Sequence, residues 1–433
     1  MFGIKRTPNE ASFRTVDKQS SAEAVHKGQN TRRRPPRFFY MILILLPFLF
    51  FFFCEVFLRL VGYGCLDQQW IEVVPGKLML NPEIARRYFY SNTTFPLPAQ
   101  DLFFKEKPSG SFRIFILGEN SASGFPYLPS ASFSCYLEKR LKKEYPASKI
   151  EVVNLSLMAV NSFALRDLLP GVLRQKPDLI IIYSGHNEYY GALGAASTLA
   201  AGRNRWLINL RLYLERFKTV QLISEAVRVC FRIFRTERKF KAVSEKITSD
   251  QQIPYNSSLF RAGIIQFEEN LKDMLHMARS AGVPVILGTL VCNLKDQPPF
   301  LSSKEVVVGL PKAIDVFKEA VSSLKADSIT LADSLFRYAR DLDLLRFRAP
   351  GQMNYVIKSL AQGFNCTLVS FDSAFDSLSP GGITGNDLMA DHLHPNIYGY
   401  MMMGELIFKK MKEKGILPAL KTEIAELKEK EHN

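Results

Sequence analysis

Cysteine is sparse in this chain and follows no pattern. The six cysteines among 433 residues form no CxxC pair and have no regular spacing. Structural zinc sites and dense disulfide frameworks both need such spacing, so we expect neither. The sequence also lacks a helix-turn-helix or RNA-binding motif. We therefore predict no metal site, no cofactor and no nucleic-acid partner.

Acidic residues are outnumbered by basic ones. Lys and Arg total 56 against 42 Asp and Glu, which gives a formal net charge of +14. A basic balance suits anionic surfaces such as membranes, nucleic acids or acidic glycans, and does not choose among them. With 47% hydrophobic residues, the chain is long enough to bury one large core or two modest ones.

One long apolar run lies near the N-terminus, at residues 38–61. Its uninterrupted part, Phe38 to Cys54, is near the lower limit of the roughly 17–25 residues that a membrane-spanning helix needs. The basic segment 32–37 precedes it, so the positive-inside rule keeps the N-terminus cytoplasmic and exports the rest to a periplasmic or other extracytoplasmic side. A cleaved signal peptide is the alternative, but the preceding tail is long and no small-x-small cleavage site follows. We predict an uncleaved single-pass anchor.

Composition divides the rest of the chain. Residues 1–37 are a polar, basic tail that we expect to be disordered. Residues 62–110 are rich in proline, and we predict a juxtamembrane lead-in with little regular structure beyond Pro82 to Tyr88. Residues 111–415 are the main domain, and residues 416–433 are a charged tail.

Five apolar runs within the main domain have the length of strands. Stretches with helical spacing of apolar residues separate them, as at 131–143, 162–175 and 259–280. Fully apolar strands that alternate with helices are typical of a parallel sheet covered on both faces. The predicted fold is therefore α/β, a parallel five-stranded sheet between helices with one N-terminal transmembrane helix. The predicted strands are 112–117, 149–155, 178–183, 283–289 and 367–371.

Polar motifs follow three of these strands, and a fourth motif stands near the C-terminus. In parallel sheets the chemistry gathers at the carboxyl ends of the strands. An asparagine at a strand end and an Asp-x-x-His pair together make the machinery of an ester hydrolase. The four stretches are Gly118-Glu119-Asn120, Asn154-Leu155-Ser156, Gly185-His186-Asn187 and Asp391-His392-Leu393-His394.

Four stretches around these motifs resemble, in this order, the sequence blocks of the SGNH (GDSL-type) hydrolases, over about residues 111–412: Phe115–Tyr127, Val153–Ser156, Gly185–Glu188 and Asp391–His394. A further stretch, Thr289–Phe300, resembles a loop of a membrane-anchored branch of that family. The resemblance implies an SGNH-type three-layer sandwich. It also implies carboxylic ester hydrolysis or acyl transfer, with an exported lipid or an acylated glycan as the substrate.

The resemblance assigns a role to each site residue. It makes His394 the general base, with Asp391 fixing its tautomer. The side-chain amide of Asn187 and the backbone N–H groups of Asn120 and Ser156 would bind the oxyanion. The position of the nucleophilic serine is occupied by Asn120, which has no hydroxyl and cannot form an acyl-enzyme.

Two functions of different classes remain open. A local shift that presents Ser121 to His394 would supply a nucleophile, although the plainer interpretation is that Ser121 caps a helix from Ala122. Alternatively, His394 and Asp391 activate water directly. Either route makes the protein an active membrane-anchored ester hydrolase or acyl transferase. Asn120 favours the other function, a catalytically inactive binding or scaffolding module that holds an acyl or glycan ligand at the membrane.

Residues 200–255 form a basic insert with interleaved aromatic residues. It is either a lid or an amphipathic helix on an anionic leaflet beside the anchor, or an ordinary amphipathic helix packed on the domain. Its apolar residues at helical spacing are Leu207, Leu210, Leu214 and Phe217.

Other polar residues near the motifs receive structural roles. His186 and His392 lack a carboxylate partner at the Asp-x-x-His spacing, and we expect them to pack or to line the rim. We expect Glu188 and Asp387 to be solvated or hydrogen-bonded locally.

Overall fold

The computed structural model describes residues 37–64, 68–89, 97–128, 130–197, 204–234, 252–303 and 309–417. It separates into two units, residues 1–54 and residues 55–433. The predicted disordered tail up to residue 36, and the charged tail beyond residue 417, lie outside the described residues.

Helix α1, Arg37–Leu60, coincides with the predicted anchor. It has 24 residues, and its most apolar 18-residue window has a mean hydropathy of 2.7. Every side chain from Arg37 to Phe53 is exposed. By length and composition this helix is able to cross a membrane.

Two sheets and a series of helices build residues 55–433. The strands are β1 Trp70–Val74, β2 Lys77–Leu80, β3 Phe103–Phe104, β4 Ser111–Gly118, β5 Lys149–Asn154, β6 Leu179–Tyr183, β7 Val285–Gly288 and β8 Thr367–Val369. The further helices are α2 Asn120–Ser123, α3 Phe133–Glu144, α4 Ser162–Leu173, α5 Arg205–Leu214, α6 Lys218–Phe234, α7 Ser258–Ser280, α8 Ala313–Lys325, α9 Ile329–Leu342, α10 Gly351–Phe364, α11 Phe371–Leu378 and α12 Ile397–Glu413.

The larger sheet has the strand order β5-β4-β6-β7-β8, and all of its neighbouring strands run parallel. Strand β4 lies inside it, and its residues 114–117 are fully buried. On the sheet α3 packs with α12, whereas α4 packs with α7, and α7 with α10. The predicted α/β fold, a parallel five-stranded sheet between helices, is confirmed.

The lead-in, residues 62–110, is more regular than we predicted. Strands β1, β2 and β3 form an antiparallel sheet, and a 3₁₀ helix at Pro82–Arg87 lies between β2 and β3 in the chain. The prolines do not interrupt these strands, because Pro75 lies in the turn between β1 and β2. Strand β2 buries alternate residues, Leu78 and Leu80. Such a short alternation is easily missed in a proline-rich segment.

The small sheet shares its core with the large one. The ring of Phe103 on β3 contacts that of Phe115 on β4, with centroids 5.2 Å apart. The buried guanidinium of Arg113 pairs with Glu151 at 2.7 Å and donates to the carbonyl oxygen of Phe104 at 2.8 Å. The lead-in is therefore part of the folded domain.

Candidate active site

The first motif turns directly from strand into helix. Strand β4 ends at Gly118, where a Cβ atom would lie 2.2 Å from Cβ of Ala122 and 2.6 Å from the carbonyl oxygen of Tyr183. Only glycine therefore allows this close approach. Asn120 then begins α2 at the carboxyl edge of the sheet. Its N–H, a predicted oxyanion donor, stands at the first residue of that helix.

Two donors converge on the side chain of Asn120. Its Oδ1 accepts a hydrogen bond from the backbone N–H of Ala159 at 2.7 Å and one from Nδ2 of Asn187 at 3.2 Å. Ala159 lies in the loop after β5, and Asn187 lies in the loop after β6. Preorganised donors that meet at one oxygen are what an oxyanion hole requires. Asn120 Oδ1 thus occupies the point at which these donors would hold a substrate oxygen.

Ser156 does not contribute the donor that we predicted. Its N–H donates instead to Oδ1 of Asn154 at 2.9 Å. Among the described residues, its buried hydroxyl oxygen has no hydrogen-bond partner. The donor beside Asn187 comes from Ala159, where the backbone takes a left-handed φ of 56° and turns its N–H toward α2. A left-handed alanine leaves no pattern in the sequence, so sequence reasoning missed it.

The fourth motif forms a compact acid–base pair. Nδ1 of His394 and Oδ2 of Asp391 are 2.7 Å apart, and Oδ1 of Asp391 accepts the N–H groups of Leu393 and His394, each at 2.8 Å. Burial acts to raise the pKa of Asp391, but these hydrogen bonds outweigh it and lower that pKa to about 2. The carboxylate therefore holds the proton on Nδ1 and leaves Nε2 as the basic nitrogen.

Nε2 of His394 is buried and, within the described ranges, has no hydrogen-bond partner. The ring packs against that of Phe125, with centroids 4.7 Å apart. Asn396 caps α12 by accepting the N–H of Gly399 at 2.9 Å, so His394 stays in the loop before that helix. His394 is therefore held in place as a base, with its Nε2 atom placed to accept a proton.

Ser121 lies inside α2 and is buried. Its hydroxyl donates to the carbonyl oxygen of Leu393 at 3.3 Å. The residue at the helix cap is Glu119, so Ser121 does not have the capping role that we considered. Its hydroxyl contacts the backbone of the loop that carries His394.

Sequence reasoning missed the role of Glu119, a buried carboxyl group beneath the site. It accepts hydrogen bonds from the Ser184 hydroxyl at 2.5 Å, from the N–H of Gly185 at 3.0 Å and from the N–H of Asn187 at 2.9 Å. Burial raises its pKa. Glu119 therefore joins the loops after β4 and β6 and positions the backbone of Asn187. The sequence signal for this role was the position of Glu119 directly after Gly118, the last residue of β4.

The neighbouring polar residues have structural contacts. His186 is buried, accepts the N–H of Ala349 at 3.3 Å, and has its pKa lowered by burial to about 3. His392 stacks on Phe300 with centroids 3.7 Å apart. Glu188 is buried and hydrogen-bonded rather than solvated, and burial raises its pKa. Across the described part of the chain, no group of three or more His, Cys, Asp or Glu residues is placed to hold a metal ion.

The model of the GDSL-like lipase/acylhydrolase family matches residues 117–402. The chain belongs to this family. The match includes Asn120, Asn187, Asp391 and His394, so the whole candidate site lies inside the GDSL-like domain. A search of the curated proteins finds no match to this chain.

Several solved structures are similar to this GDSL-family chain. The crystal structure of TesA is 15% identical, with a TM-score of 0.35, and the match covers 70% of this chain and 98% of that chain. A putative GDSL-like lipase from Parabacteroides merdae is 13% identical, with a TM-score of 0.37 and coverage of 72% and 99%. Axe2, an acetylxylan esterase from Geobacillus stearothermophilus, is 14% identical, with a TM-score of 0.35 and coverage of 69% and 94%.

Proposed function

We propose that this protein is a membrane-anchored member of the GDSL family that acts on carboxylic esters, as an ester hydrolase or acyl transferase. The observation that carries the proposal is the pair of Asp391 and His394, 2.7 Å apart, whose buried Nε2 is left without a partner among the described residues. A base oriented by a carboxylate is the part of a hydrolase that moves protons. The hydrogen-bond donors of Asn187 and Ala159 would stabilise the negative charge that develops on the ester carbonyl oxygen.

The reaction that these residues support is a direct attack of water on the ester, without an acyl-enzyme intermediate. The ester carbonyl oxygen displaces Oδ1 of Asn120 from its two donors, Asn187 Nδ2 and the N–H of Ala159. Nε2 of His394 takes a proton from water as the water oxygen attacks the carbonyl carbon. The tetrahedral oxyanion then collapses, the bond to the alcohol oxygen breaks, and the departing alkoxide takes the proton back from His394. A hydroxyl compound in place of water gives acyl transfer.

Asn120 slows this reaction. Its Oδ1 competes with the substrate for both donors, because it already accepts from them at 2.7 and 3.2 Å. A carboxamide also cannot form an acyl-enzyme, so the reaction is not divided into two easier steps. We expect low turnover from the native chain.

The proposed substrates are exported lipids or acylated glycans. The length and hydropathy of α1 support an anchor, and the basic residues before it support a cytoplasmic N-terminus. The GDSL-like domain would then lie on the extracytoplasmic side. An anchored domain meets esters at or near the membrane surface, which favours these two classes.

The proposal is tested by hydrolysis of a short-chain aryl ester by the detergent-solubilised full chain. We expect slow turnover that is lost in His394→Ala and kept in His392→Ala, a matched histidine on the rim. Direct attack by water also predicts activity in Ser121→Ala. Loss in Ser121→Ala would make Ser121 the nucleophile and overturn that route. Turnover that does not depend on His394 would contradict the proposal itself.

A second function, an inactive module that binds an acyl or glycan ligand, is favoured by the hydrogen bonds of Asn120, because the oxyanion donors are already filled. It predicts no ester turnover by the native chain. It also predicts that ethyl butyrate raises the Tm of the full chain, and that Asn187→Ala abolishes the rise. Turnover by the native chain would rule this function out.

A further inference from the structure

The C-terminal end of α1 is joined to the start of α6. The carboxylate of Glu55 accepts the N–H groups of Lys218 and Thr219 at 3.0 and 2.8 Å, and the Thr219 hydroxyl at 2.8 Å. Arg59 donates to the carbonyl oxygen of Arg216 at 3.1 Å. The first N–H groups of a helix carry partial positive charge, which stabilises a carboxylate there. The point where α1 becomes polar is therefore also the point where α6 begins.

Helix α6 exposes an apolar face just beyond this junction. Its exposed residues recur at the spacing of one helix face, whereas Lys218 and Thr219 are buried at the contact with Glu55. The face begins within two turns of the junction. Its large members and their exposed fractions are Leu222 37%, Ile223 48%, Val227 47% and Val229 41%.

Helix α5, directly before α6 in the chain, also exposes apolar residues. It packs on the domain through Ile208 and Leu212, which are buried. The burial of these two residues agrees with the alternative that the insert includes an ordinary amphipathic helix packed on the domain. The apolar residues of α5 and of the turn after it that remain exposed are Trp206, Leu207, Tyr213, Leu214 and Phe217.

A lipid surface fits this composition. Residues 204–234 contain six Arg or Lys and two Asp or Glu, a net charge of +4, and two of the basic residues, Arg205 and Arg216, pair with Asp273 and Asp167 of the domain. Basic charge beside an apolar face favours anionic headgroups, and Trp and Tyr favour the boundary between headgroups and acyl chains. Helix α6 is also hydrogen-bonded through Glu55 to the end of the one described helix that is long and apolar enough to cross a membrane.

We propose that α6 and the exposed side of α5 lie in the surface of the bilayer that α1 enters. The inference rests on the proposed membrane anchoring. The contacts of Glu55 hold α6 at the height where α1 leaves the acyl chains, and the apolar side chains then enter the lipid. The GDSL-like domain is thereby held against the membrane by one face, in addition to its anchor.

The test uses the full chain reconstituted in vesicles of phosphatidylcholine brominated on its acyl chains, with phosphatidylglycerol added. Bromine quenches tryptophan that enters the lipid. The chain has two tryptophans, so Trp206→Phe leaves Trp70 as the background. Ile223→Trp in that background reports on α6. Tyr355→Trp is the control, at a residue of α10 that is 74% exposed against 48% for Ile223. Flotation of the vesicles measures anchoring separately.

We expect the chain to float with the vesicles, and the added fluorescence of Ile223→Trp to be lost while that of Tyr355→Trp remains. Flotation with no more quenching at residue 223 than at residue 355 overturns the inference and leaves the anchoring intact. Unquenched but blue-shifted emission at residue 223 means that protein covers the face, from a second copy or from residues 235–251, and also overturns it. A chain that does not float refutes the anchoring and the inference together.

Discussion

Asn120→Ser is the substitution that tests the site most directly. It removes the carboxamide oxygen that accepts from Ala159 and Asn187 at 2.7 and 3.2 Å. It also places a hydroxyl at the first residue of α2, the nucleophile position of the GDSL family. We expect the variant to hydrolyse a short-chain aryl ester through an acyl-enzyme, because the base and the donors are already in place.

The expected gain in kcat follows from the groups that can take part in the reaction once residue 120 is a serine. Asn120→Ser frees the two donors that Oδ1 of Asn120 occupies in the native chain, and one such donor is worth about 10²–10³ in kcat, so the variant should exceed the native chain by at least about that factor. Adding His394→Ala should remove the turnover, as in the native chain, because both reactions need the base. Removing one oxyanion donor costs about 10²–10³ in kcat, roughly 2.7–4 kcal/mol. Adding Asn187→Ala should therefore cancel most of the gain.

The assay is rapid-mixing measurement of the released aryl alcohol, with mass spectrometry of the trapped acyl-protein. We expect a burst equal to the protein concentration and the acyl group on residue 120. Ser121→Ala in the Asn120→Ser background is the control and should keep the burst. A burst that survives Asn187→Ala undiminished would refute the reasoning, since the donors on Asn120 would then not be oxyanion donors.

Three further predictions concern the free energy of unfolding of the full chain in detergent, followed by denaturant titration. Phe103→Ala should lower the free energy of unfolding by about 3–5 kcal/mol, because that ring is buried in the core shared by the two sheets. Phe104→Ala, at the exposed neighbour, should change it by no more than about 0.5 kcal/mol. Equal losses in the two variants would contradict the assignment of the lead-in to the core. The pKa of Asp391 in the folded chain is lowered from 3.8 to about 2, so this carboxylate stabilises the fold above about pH 4 and loses that effect as the pH drops toward 2. Asp391→Asn should therefore make the free energy of unfolding less dependent on pH in that acid range. Burial raises the pKa of Glu119 above 4.5, so this carboxyl group should lower the free energy of unfolding as the pH rises above 4.5. If Glu119→Gln left the slope of unfolding free energy against pH unchanged, the burial of Glu119 as a protonated acid would be contradicted.

The strands of the large sheet were predictable because each one is apolar throughout its length. Strands β4 and β6 are buried on both faces, and such runs between helices have few other folded arrangements. The order β5-β4-β6-β7-β8 was not predictable, because it depends on which strands pack beside each other. The small sheet of the lead-in was missed because its two-residue and four-residue strands are stabilised by rings from the main domain.

Within the site, the local contact of Asp391 with His394 follows from spacing, the nearness of Asn187 to Asn120 was expected only from the family resemblance, and the contact of Ala159 was not expected. Asp391 and His394 are three residues apart, so the chain itself brings them within hydrogen-bond reach. The contact of Asn120 with Asn187 spans 67 residues, and that with Ala159 spans 39. Such contacts depend on how two loops meet at the edge of the sheet.

The sequence by itself determined the class of fold, the apolar helix, the acid–base pair and the absence of a hydroxyl at residue 120. These follow from residue type and short spacing, which tertiary packing does not alter. Only the tertiary structure decided that Nδ2 of Asn187 and the N–H of Ala159 meet at Oδ1 of Asn120, that the N–H of Ser156 donates to Asn154, and that Glu55 caps α6. The physical reason is that hydrogen-bond partners are chosen by the distance between atoms, and for distant residues the fold alone sets that distance.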